Sequence, residues 1–164
     1  MDIQIRRAMP EEAAVLTEIA HAAKRHWGYP ENWIEHWQGD LTITRDFISN
    51  HEVYVAVTDK EIAGCCALVV KDSQAELEHM WIRPQYMGAG YGKALFVHVM
   101  QRAATLKADA VELSADPNAE GFYKHMGAVR IGEVRSEIDG QPRVLPRMTV
   151  DPDLVLKSGV LARP

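Results

Sequence analysis

The chain has 164 residues, of which 47% are hydrophobic and 25% charged, a composition typical of one globular domain and not of a disordered chain. Eighteen basic residues stand against 23 acidic ones, for a formal charge of −5, so the positive field that non-specific nucleic-acid binding needs is not expected. The first residues contain no apolar run of signal-peptide length and no later segment approaches a membrane span. We therefore expect a cytoplasmic protein that binds neither nucleic acid nor membrane.

The N-terminal third predicts one strand followed by helices, because its apolar residues first alternate and then recur at helical spacing. The predicted elements are a strand over residues 3–7, a helix opened by Pro10, a short helix over 32–38 and a helical turn over 44–49.

The rest of the chain predicts three strands, a long helix, and then strands around one short helix. The predicted elements are a hairpin turning at residues 58–61, a strand over 75–82, a helix from 91 to 106, and then strand, short helix, strand and strand. Pro146 interrupts the last strand and favours an edge or a bulge there. This order predicts an α/β fold of the α+β type, with a mixed, mostly antiparallel sheet of about 6–7 strands and about 4 helices. We expect a single domain over residues 1–150 and a C-terminal tail over 151–164.

The cysteines and histidines point to no metal or disulfide. Cys65 and Cys66 are adjacent, which is a poor geometry for a structural disulfide, and they lie in an apolar run typical of small buried residues. None of the seven histidines falls into a metal-ligand spacing with a cysteine or another histidine, so we expect no metal.

The most informative segment is a glycine loop between a strand and a helix. Pro84 ends the strand, and Gly88, Gly90 and Gly92 lead directly into the amphipathic helix. Backbone N–H groups at a helix start are unpaired and the helix dipole favours negative charge, while glycine lets a bulky anion approach them. Strand, loop and helix together predict a phosphate-binding site.

The spacing of the loop excludes two common phosphate motifs. A dinucleotide fingerprint needs glycine at the sixth position counted from Gly88, and that position is Lys93. A P-loop needs Ser or Thr after Gly-Lys, and Ala94 follows Lys93; it also needs glycine five positions before Gly92, and that position is Met87. The pattern is instead G-x-G-x-G at the end of a strand.

With this loop the sequence resembles the GNAT superfamily of N-acyltransferases. Their pyrophosphate motif is Gln/Arg-x-x-Gly-x-Gly/Ala, and Met87 to Gly92 match it except that Met87 replaces the usual Gln or Arg. The likeness covers residues 3 to about 150 and includes LEHMWIRP and DPNAEGFYKHMGAVRIGE in the expected order. The resemblance implies transfer of an acetyl group from acetyl-CoA to a primary amine of a small molecule or peptide. It also implies the coenzyme contacts, which are Met80, Trp81, Ile82, Met87, Gly88, Ala89, Gly90, Tyr91, Gly92, Lys93, Asn118, Phe122 and Tyr123.

Two carboxylates on the strand before the loop are candidate bases. An alkylamine has a pKa of about 10.4 and must lose a proton before it attacks a thioester. Alternation places Glu76 and Glu78 on one face of the strand, within reach of the thioester directly or through water, and we favour Glu78. The structural alternative for each is a cross-strand ion pair or a solvated strand face. His79, on the other face, is expected to be packed or hydrogen-bonded.

Tyr123 is the candidate acid. The departing thiolate resembles that of cysteine, with a pKa of about 8.5, so a phenol can protonate it. Tyr123 matches the frequent general acid of the GNAT superfamily, and the alternative is an aromatic that packs its helix on the sheet.

Candidate acceptor contacts lie between the first two helices, a region that covers the acceptor cleft in the superfamily. They are His26, Trp27, Tyr29 and Trp33, whose rings could bind an amine by cation–π contact or could anchor the helices to the core. The sequence leaves two further questions open. The chain could be a non-catalytic acyl-CoA sensor, and the late strands and tail could support a homodimer.

Overall fold

The computed structural model describes residues 3–157. Within that range no helix is both long enough and apolar enough to cross a membrane. The elements of this range are β1 Gln4–Arg7, α1 Ala13–His26, α2 Glu31–His36, α3 Gln38–Leu41, α4 Arg45–Asn50, β2 Glu52–Val57, β3 Ile62–Lys71, β4 Gln74–Ile82, α5 Tyr91–Thr105, β5 Ala110–Ser114, α6 Glu120–His125, β6 Val129–Ile138, β7 Gln141–Val150 and α7 Pro152–Lys157.

The strands form one seven-stranded sheet in the order β1-β2-β3-β4-β5-β7-β6. Strands β4 and β5 are parallel, whereas β1–β2, β5–β7 and β6–β7 are antiparallel. The predicted α/β class with a mostly antiparallel sheet is confirmed. The described range holds seven α-helices instead of about four, because α3 and α7 were not predicted and the predicted helical turn over 44–49 forms the helix α4.

The chain divides into two compact units. The first unit comprises Met1–Ala67 and His79–Leu95, and the second comprises Leu68–Glu78 and Phe96–Pro164. Strands β3 and β4 each contribute residues to both units.

The core of the first unit lies between its helices and strands β2 and β3. Its fully buried members include Leu16 and Ile19 of α1, Ile48 of α4 and Val55 of β2. Helix α1 follows a 3-10 turn at Pro10–Glu12 and begins without a Ser, Thr or Asp cap. Its entry is held by the Glu12 carboxylate, which accepts a hydrogen bond from the Met9 N–H at 2.8 Å.

The core of the second unit lies on one face of β4, β5 and β7. Residues on that face are buried, and the residues between them are more exposed, as expected for strands with one packed face. The buried residues on these three strands are Ala75, Leu77, Val111, Leu113, Met148 and Val150. Helix α7 forms the described part of the C-terminal tail, and its Val155 is buried; residues 158–164 lie outside the described range.

Of the edge or bulge expected at Pro146, the edge is wrong, because β7 lies between β5 and β6. A bulge does lie nearby, on β6 between Arg130 and Gly132, opposite Met148 and Arg147. Strand β5 ends at Ser114, opposite Arg147, and the Pro146 carbonyl accepts a hydrogen bond from the Ala115 N–H at 2.9 Å. Pro146 therefore sits just past the last β5–β7 pair with its backbone nitrogen directed away from β6, so its missing N–H removes no hydrogen bond to β6.

Both cysteines are buried, as predicted. Burial raises the pKa of Cys65 to about 12 and raises the pKa of Cys66 well above its ordinary value. Both thiols are therefore neutral at physiological pH. No group of three or more candidate metal ligands occurs within residues 3–157.

Candidate functional site

The junction between β4 and the glycine loop is tied to neighbouring strands and to α1. The Arg83 N–H donates to the Ala63 carbonyl at 2.8 Å, and its Nε donates to the Ile62 carbonyl at 2.8 Å. Its Nη1 reaches Glu18 of α1 at 3.0 Å. A 3-10 turn at Pro84–Tyr86 follows, so the loop leaves β4 from an anchored residue.

Two glycines in the loop adopt a backbone conformation that other residues avoid. Gly88 has φ +77° and Gly90 has φ +92°. A Cβ on Gly88 would meet nothing within 4 Å, and a Cβ on Gly90 would lie 3.6 Å from Ile3 Cδ1, an ordinary contact. Glycine is therefore required at both positions for conformation and not for space.

The loop delivers backbone donors to the start of a 15-residue helix, α5. The Ala94 N–H donates to the Gly90 carbonyl at 3.0 Å. The amides of Tyr91 and Gly92 precede this helical hydrogen bond, at the positive end of the helix dipole. The Met87 N–H donates to the Pro84 carbonyl at 3.2 Å within the 3-10 turn, so the donors of the loop begin at Gly88.

Sequence reasoning missed Gly64 of β3, which supports the end of β4. A Cβ on Gly64 would lie 2.5 Å from Ile82 Cδ1 and 2.7 Å from the Trp81 carbonyl oxygen. Such separations require one of the two strands to move. The signal was present in the sequence, since a lone glycine inside an apolar strand often marks a close backbone approach.

His79 is buried on β4 beside Trp81 and the ring of Phe47. Its Nδ1 accepts a hydrogen bond from Trp81 Nε1 at 2.9 Å. Burial lowers the pKa of His79 to about 4, against a smaller opposing effect of Asp40. The ring is therefore neutral at pH 7 with its proton on Nε2, and the expectation of a packed, hydrogen-bonded histidine is confirmed.

The two candidate bases on β4 have different surroundings. Glu76 forms a two-pronged ion pair with Arg147, at 2.6 Å for each oxygen, so it matches the cross-strand ion pair that the sequence left open. Arg147 also reaches Glu112 at 3.2 Å and Ser114 at 3.1 Å, and its pKa is raised chiefly by the hydrogen bond to Glu76. Glu78 is exposed and has no hydrogen-bond or ion-pair partner within residues 3–157.

Tyr123 lies in α6 and is 7% exposed. Its ring centroid is 5.2 Å from that of Phe122 and 6.2 Å from that of Phe96 in α5. The side chain therefore contributes to packing within the second unit, and this contact is compatible with a further role for its hydroxyl.

Asn118 is exposed in the turn before α6. Its backbone N–H and its side-chain Nδ2 both donate to Asp116 Oδ1 at 2.9 Å. Asp116 also pairs with Arg143 of β7 at 3.5 Å. These bonds fix the conformation of the Asp-Pro-Asn-Ala turn.

Tyr29 and Trp33, two of the four candidate acceptor contacts, belong to an aromatic cluster around Lys24. Lys24 is 8% exposed, and its Nζ lies 5.1 Å from the Tyr29 ring centroid and 4.4 Å from that of Trp37. Trp33 stacks on Tyr29 at 5.9 Å. The cation–π contact expected for a substrate amine is thus made at Tyr29 by a lysine of the chain itself.

The other two candidates, His26 and Trp27, lie at the end of α1. Their ring centroids are 5.1 Å apart, and Trp27 is 40% exposed. Their rings, unlike that of Tyr29, are presented to solvent.

The candidate residues fall into two groups. The first unit holds the four acceptor candidates together with Met80, Trp81, Ile82, Met87, Gly88, Ala89, Gly90, Tyr91, Gly92 and Lys93. The second unit holds Glu76, Glu78, Asn118, Phe122 and Tyr123.

Several solved structures share this fold. A GCN5-related N-acetyltransferase from Rhodopseudomonas palustris is 19% identical, with a TM-score of 0.74 over 92% of this chain and 96% of that one. The PaiA N-acetyltransferase from Thermoplasma acidophilum, solved in complex with coenzyme A, is 20% identical, with a TM-score of 0.73 over 92% and 99% of the two chains. The ribosomal-protein-S18-alanine N-acetyltransferase from Escherichia coli is 15% identical, with a TM-score of 0.69 over 92% and 94%.

Sequence comparison adds the family. No protein with a curated description matches the chain. Residues 49–127, from the end of α4 to the end of α6, match the model of the acetyltransferase (GNAT) domain. The resemblance to the GNAT superfamily is therefore confirmed over these residues.

Proposed function

We propose that this protein transfers an acetyl group from acetyl-CoA to a primary amine of a small molecule or peptide. The observation that carries the proposal is the glycine loop, with positive φ at Gly88 and Gly90 and backbone donors at the start of α5. These donors suit the diphosphate of coenzyme A, which supplies the acetyl group as an activated thioester. In this proposal residues 1–150 form the acetyltransferase domain and residues 151–164 form its tail.

Glu78 is the base in this proposal. The acceptor amine must be neutral to attack the thioester carbonyl, and a carboxylate can take its proton directly or through water. Glu78 is exposed and has no ion-pair partner within the described residues, whereas the carboxylate of Glu76 is held by Arg147. Glu76 would have to give up its ion pair with Arg147 before its oxygens could accept a proton from the amine.

Tyr123 is the acid in this proposal. Cleavage of the thioester leaves a thiolate, and a phenol is a suitable donor because the two pKa values are close. The contacts of Tyr123 with Phe96 and Phe122 support a fixed ring position. Neither proton transfer nor direct attack on the thioester requires a metal ion.

For the acceptor, the exposed pair His26 and Trp27 is the better candidate contact. Tyr29 already faces Lys24, so an incoming amine would have to compete with an internal ammonium group there. Trp27 offers an exposed ring face for cation–π contact with a protonated amine before it is deprotonated.

The test is a thiol-release assay with acetyl-CoA and a panel of amines. The panel includes spermidine and an alanyl peptide, because a spermidine N-acetyltransferase chimera and the S18-alanine enzyme share this fold. We expect coenzyme A release that depends on one class of amine and that is lost in Tyr123→Phe and Glu78→Gln. Tight binding of acetyl-CoA without release for any amine would instead indicate an acyl-CoA sensor.

A further inference from the structure

Strand β6 forms one end of the sheet, and no strand among residues 3–157 pairs with its outer edge. Nine of its ten residues are exposed, and only Ile138 is buried. Three of the exposed residues are apolar: Val129 is 62% exposed, Ile131 is 53% and Val134 is 40%. A long edge strand with apolar side chains is a template for pairing with another strand.

Two prolines of β7 show which residues of β6 point their backbone N–H and C=O groups towards the open edge of the sheet. Pro146 is opposite Glu133, and Pro142 is opposite Glu137. The Pro146 carbonyl accepts from the Ala115 N–H, so the backbone polar groups of Pro146 point away from β6. In an antiparallel ladder the opposite residue then points its own groups away as well. The N–H and C=O groups of Glu133 and Glu137 therefore face the open edge. Arg135 lies two residues from each of them, so its backbone groups face the same edge.

The side chains at these positions alternate in charge. Glu133, Arg135 and Glu137 follow one another at every second residue, and Glu133 contacts Arg135 of its own chain at 2.8 Å. If two copies of β6 paired antiparallel about a two-fold axis, edge-facing residues would have to meet edge-facing residues. The axis must then pass through a residue of the strand and not between two residues.

Only a few positions of the axis are compatible with the charges. An axis at Glu133 would place this residue opposite its own copy, and an axis at Arg135 would do the same for two arginines. An axis at Val134 places Glu133 opposite Arg135 twice and pairs residues 132–136 in regular register, up to the bulge between Arg130 and Gly132. An axis at Ser136 also pairs opposite charges, at Arg135 and Glu137, but it places the exposed Val134 opposite Ile138, which is already buried, whereas the axis at Val134 packs two exposed valines together.

We propose that the protein forms a homodimer through antiparallel pairing of two β6 strands, with Val134 on the two-fold axis. The two Val134 side chains meet in a non-hydrogen-bonded pair, and the flanking Glu133–Arg135 pairs supply hydrogen bonds and charge complementarity. Each copy uses its open β6 edge once, so the contact closes at two subunits. This assembly goes beyond the proposed reaction and does not depend on it.

Charge reversal tests the pairing in solution. Wild-type protein is compared with Glu133→Arg, Arg135→Glu and the double variant by sedimentation velocity over a concentration series. Each single variant sets like charges opposite each other twice and should raise the dimer dissociation constant by roughly tenfold or more. The double variant restores two opposite-charge pairs and should restore dimerisation towards wild type. Melting curves check that all four proteins are folded.

Cysteine cross-linking tests the register. In the proposed dimer, the Cα atoms of the two residues 134 are about 4.5 Å apart, within the range of a disulfide. Val134→Cys should therefore cross-link under mild oxidation, whereas Ser136→Cys, placed opposite Gly132, should not. Cys65 and Cys66 are buried and do not compete.

Three results would overturn the proposal. A wild-type monomer at high micromolar concentration excludes the dimer, and a chain shortened to residue 157 that dimerises instead would assign the edge to residues 158–164. A dimer that is indifferent to Glu133→Arg lies on another surface. Cross-linking at Ser136→Cys but not at Val134→Cys places the axis at Ser136.

Discussion

The two halves of strand β4 are built differently. Residues 79–82, in the first unit, are held by close packing: Gly64 lies against the end of the strand, and His79 is buried and neutral. Residues 74–78, in the second unit, carry Glu76 in an ion pair and Glu78 exposed to solvent. The packed half positions the backbone that leads into the glycine loop, and the polar half keeps a charged group available. One strand thus carries a packed segment next to the glycine loop and, before it, the carboxylate that we propose as the base.

The largest expected effect is the loss of activity caused by Glu78→Gln in the polar half of β4. Loss of a general base should lower kcat about 10²–10⁴-fold, with little change in the KM for acetyl-CoA. The matched variant Glu76→Gln should lower kcat less than about threefold and cost about 0.5–1 kcal/mol of stability, because it weakens a half-exposed ion pair. Steady-state kinetics and urea unfolding measure the two effects. The reverse ranking in kcat would assign the base to Glu76.

In the packed half, the burial of His79 should make the stability of the protein depend on pH. His79 has a pKa of about 4 in the folded protein against an ordinary 6.5, so the unfolded chain binds the proton first as the pH falls. The contribution is fully present above pH 6.5, declines between pH 6.5 and about 4, and amounts to about 3 kcal/mol at most. His79→Asn keeps an acceptor for Trp81 but does not titrate.

This variant should flatten the decline in unfolding free energy between pH 6.5 and 4, relative to its own value at pH 8. Urea unfolding across that range provides the measurement. An unchanged slope would mean that His79 takes up its proton in the folded protein as readily as in the unfolded one.

Gly64→Ala tests the close approach of β3 to the end of β4. The new Cβ would overlap the Trp81 carbonyl and Ile82, so we expect a loss of about 1–3 kcal/mol and a lower melting temperature. Gly39→Ala provides the control, because a Cβ there would meet nothing within 4 Å. Equal melting temperatures for the two variants would contradict the tight contact.

The smallest expected difference is in coenzyme A binding, between two variants of the glycine loop. Gly90→Ala forces a left-handed backbone on a residue with a Cβ, at about 1–2 kcal/mol, and should weaken coenzyme A binding about 5–30-fold. Met87→Ala changes a side chain next to the loop but leaves the backbone donors, so its effect should stay within about threefold. Competition binding with a fluorescent coenzyme A analogue distinguishes the two. If Met87→Ala proved the more damaging change, the loop would bind through side chains.

Local patterns made most of the fold predictable from the sequence. The bounds of α5 and β4 were predicted to within one residue or so, because apolar periodicity, Pro84 and the glycines mark them directly. The loop was predicted for the same reason. Of the three short helices before β2, α2 and α4 were predicted as a short helix and a helical turn, but α3 was not separated from α2, since that boundary depends on tertiary packing of residues such as Ile34 and Leu41.

Features that depend on distant residues were not predictable. Glu76 and Glu78 look alike in the sequence, and what distinguishes them is Arg147, 71 positions from Glu76. The contact of Lys24 with the Tyr29 ring was not predictable for a similar reason, because it is a tertiary contact.

Titration of acetyl-CoA into the wild-type protein by calorimetry tests the central claim most directly. If the amides that follow Met87 hold the diphosphate, the titration should show saturable binding with one molecule per chain, and ATP should compete poorly. Folded protein that gives no heat with acetyl-CoA, at two temperatures to exclude a zero enthalpy, would contradict the account.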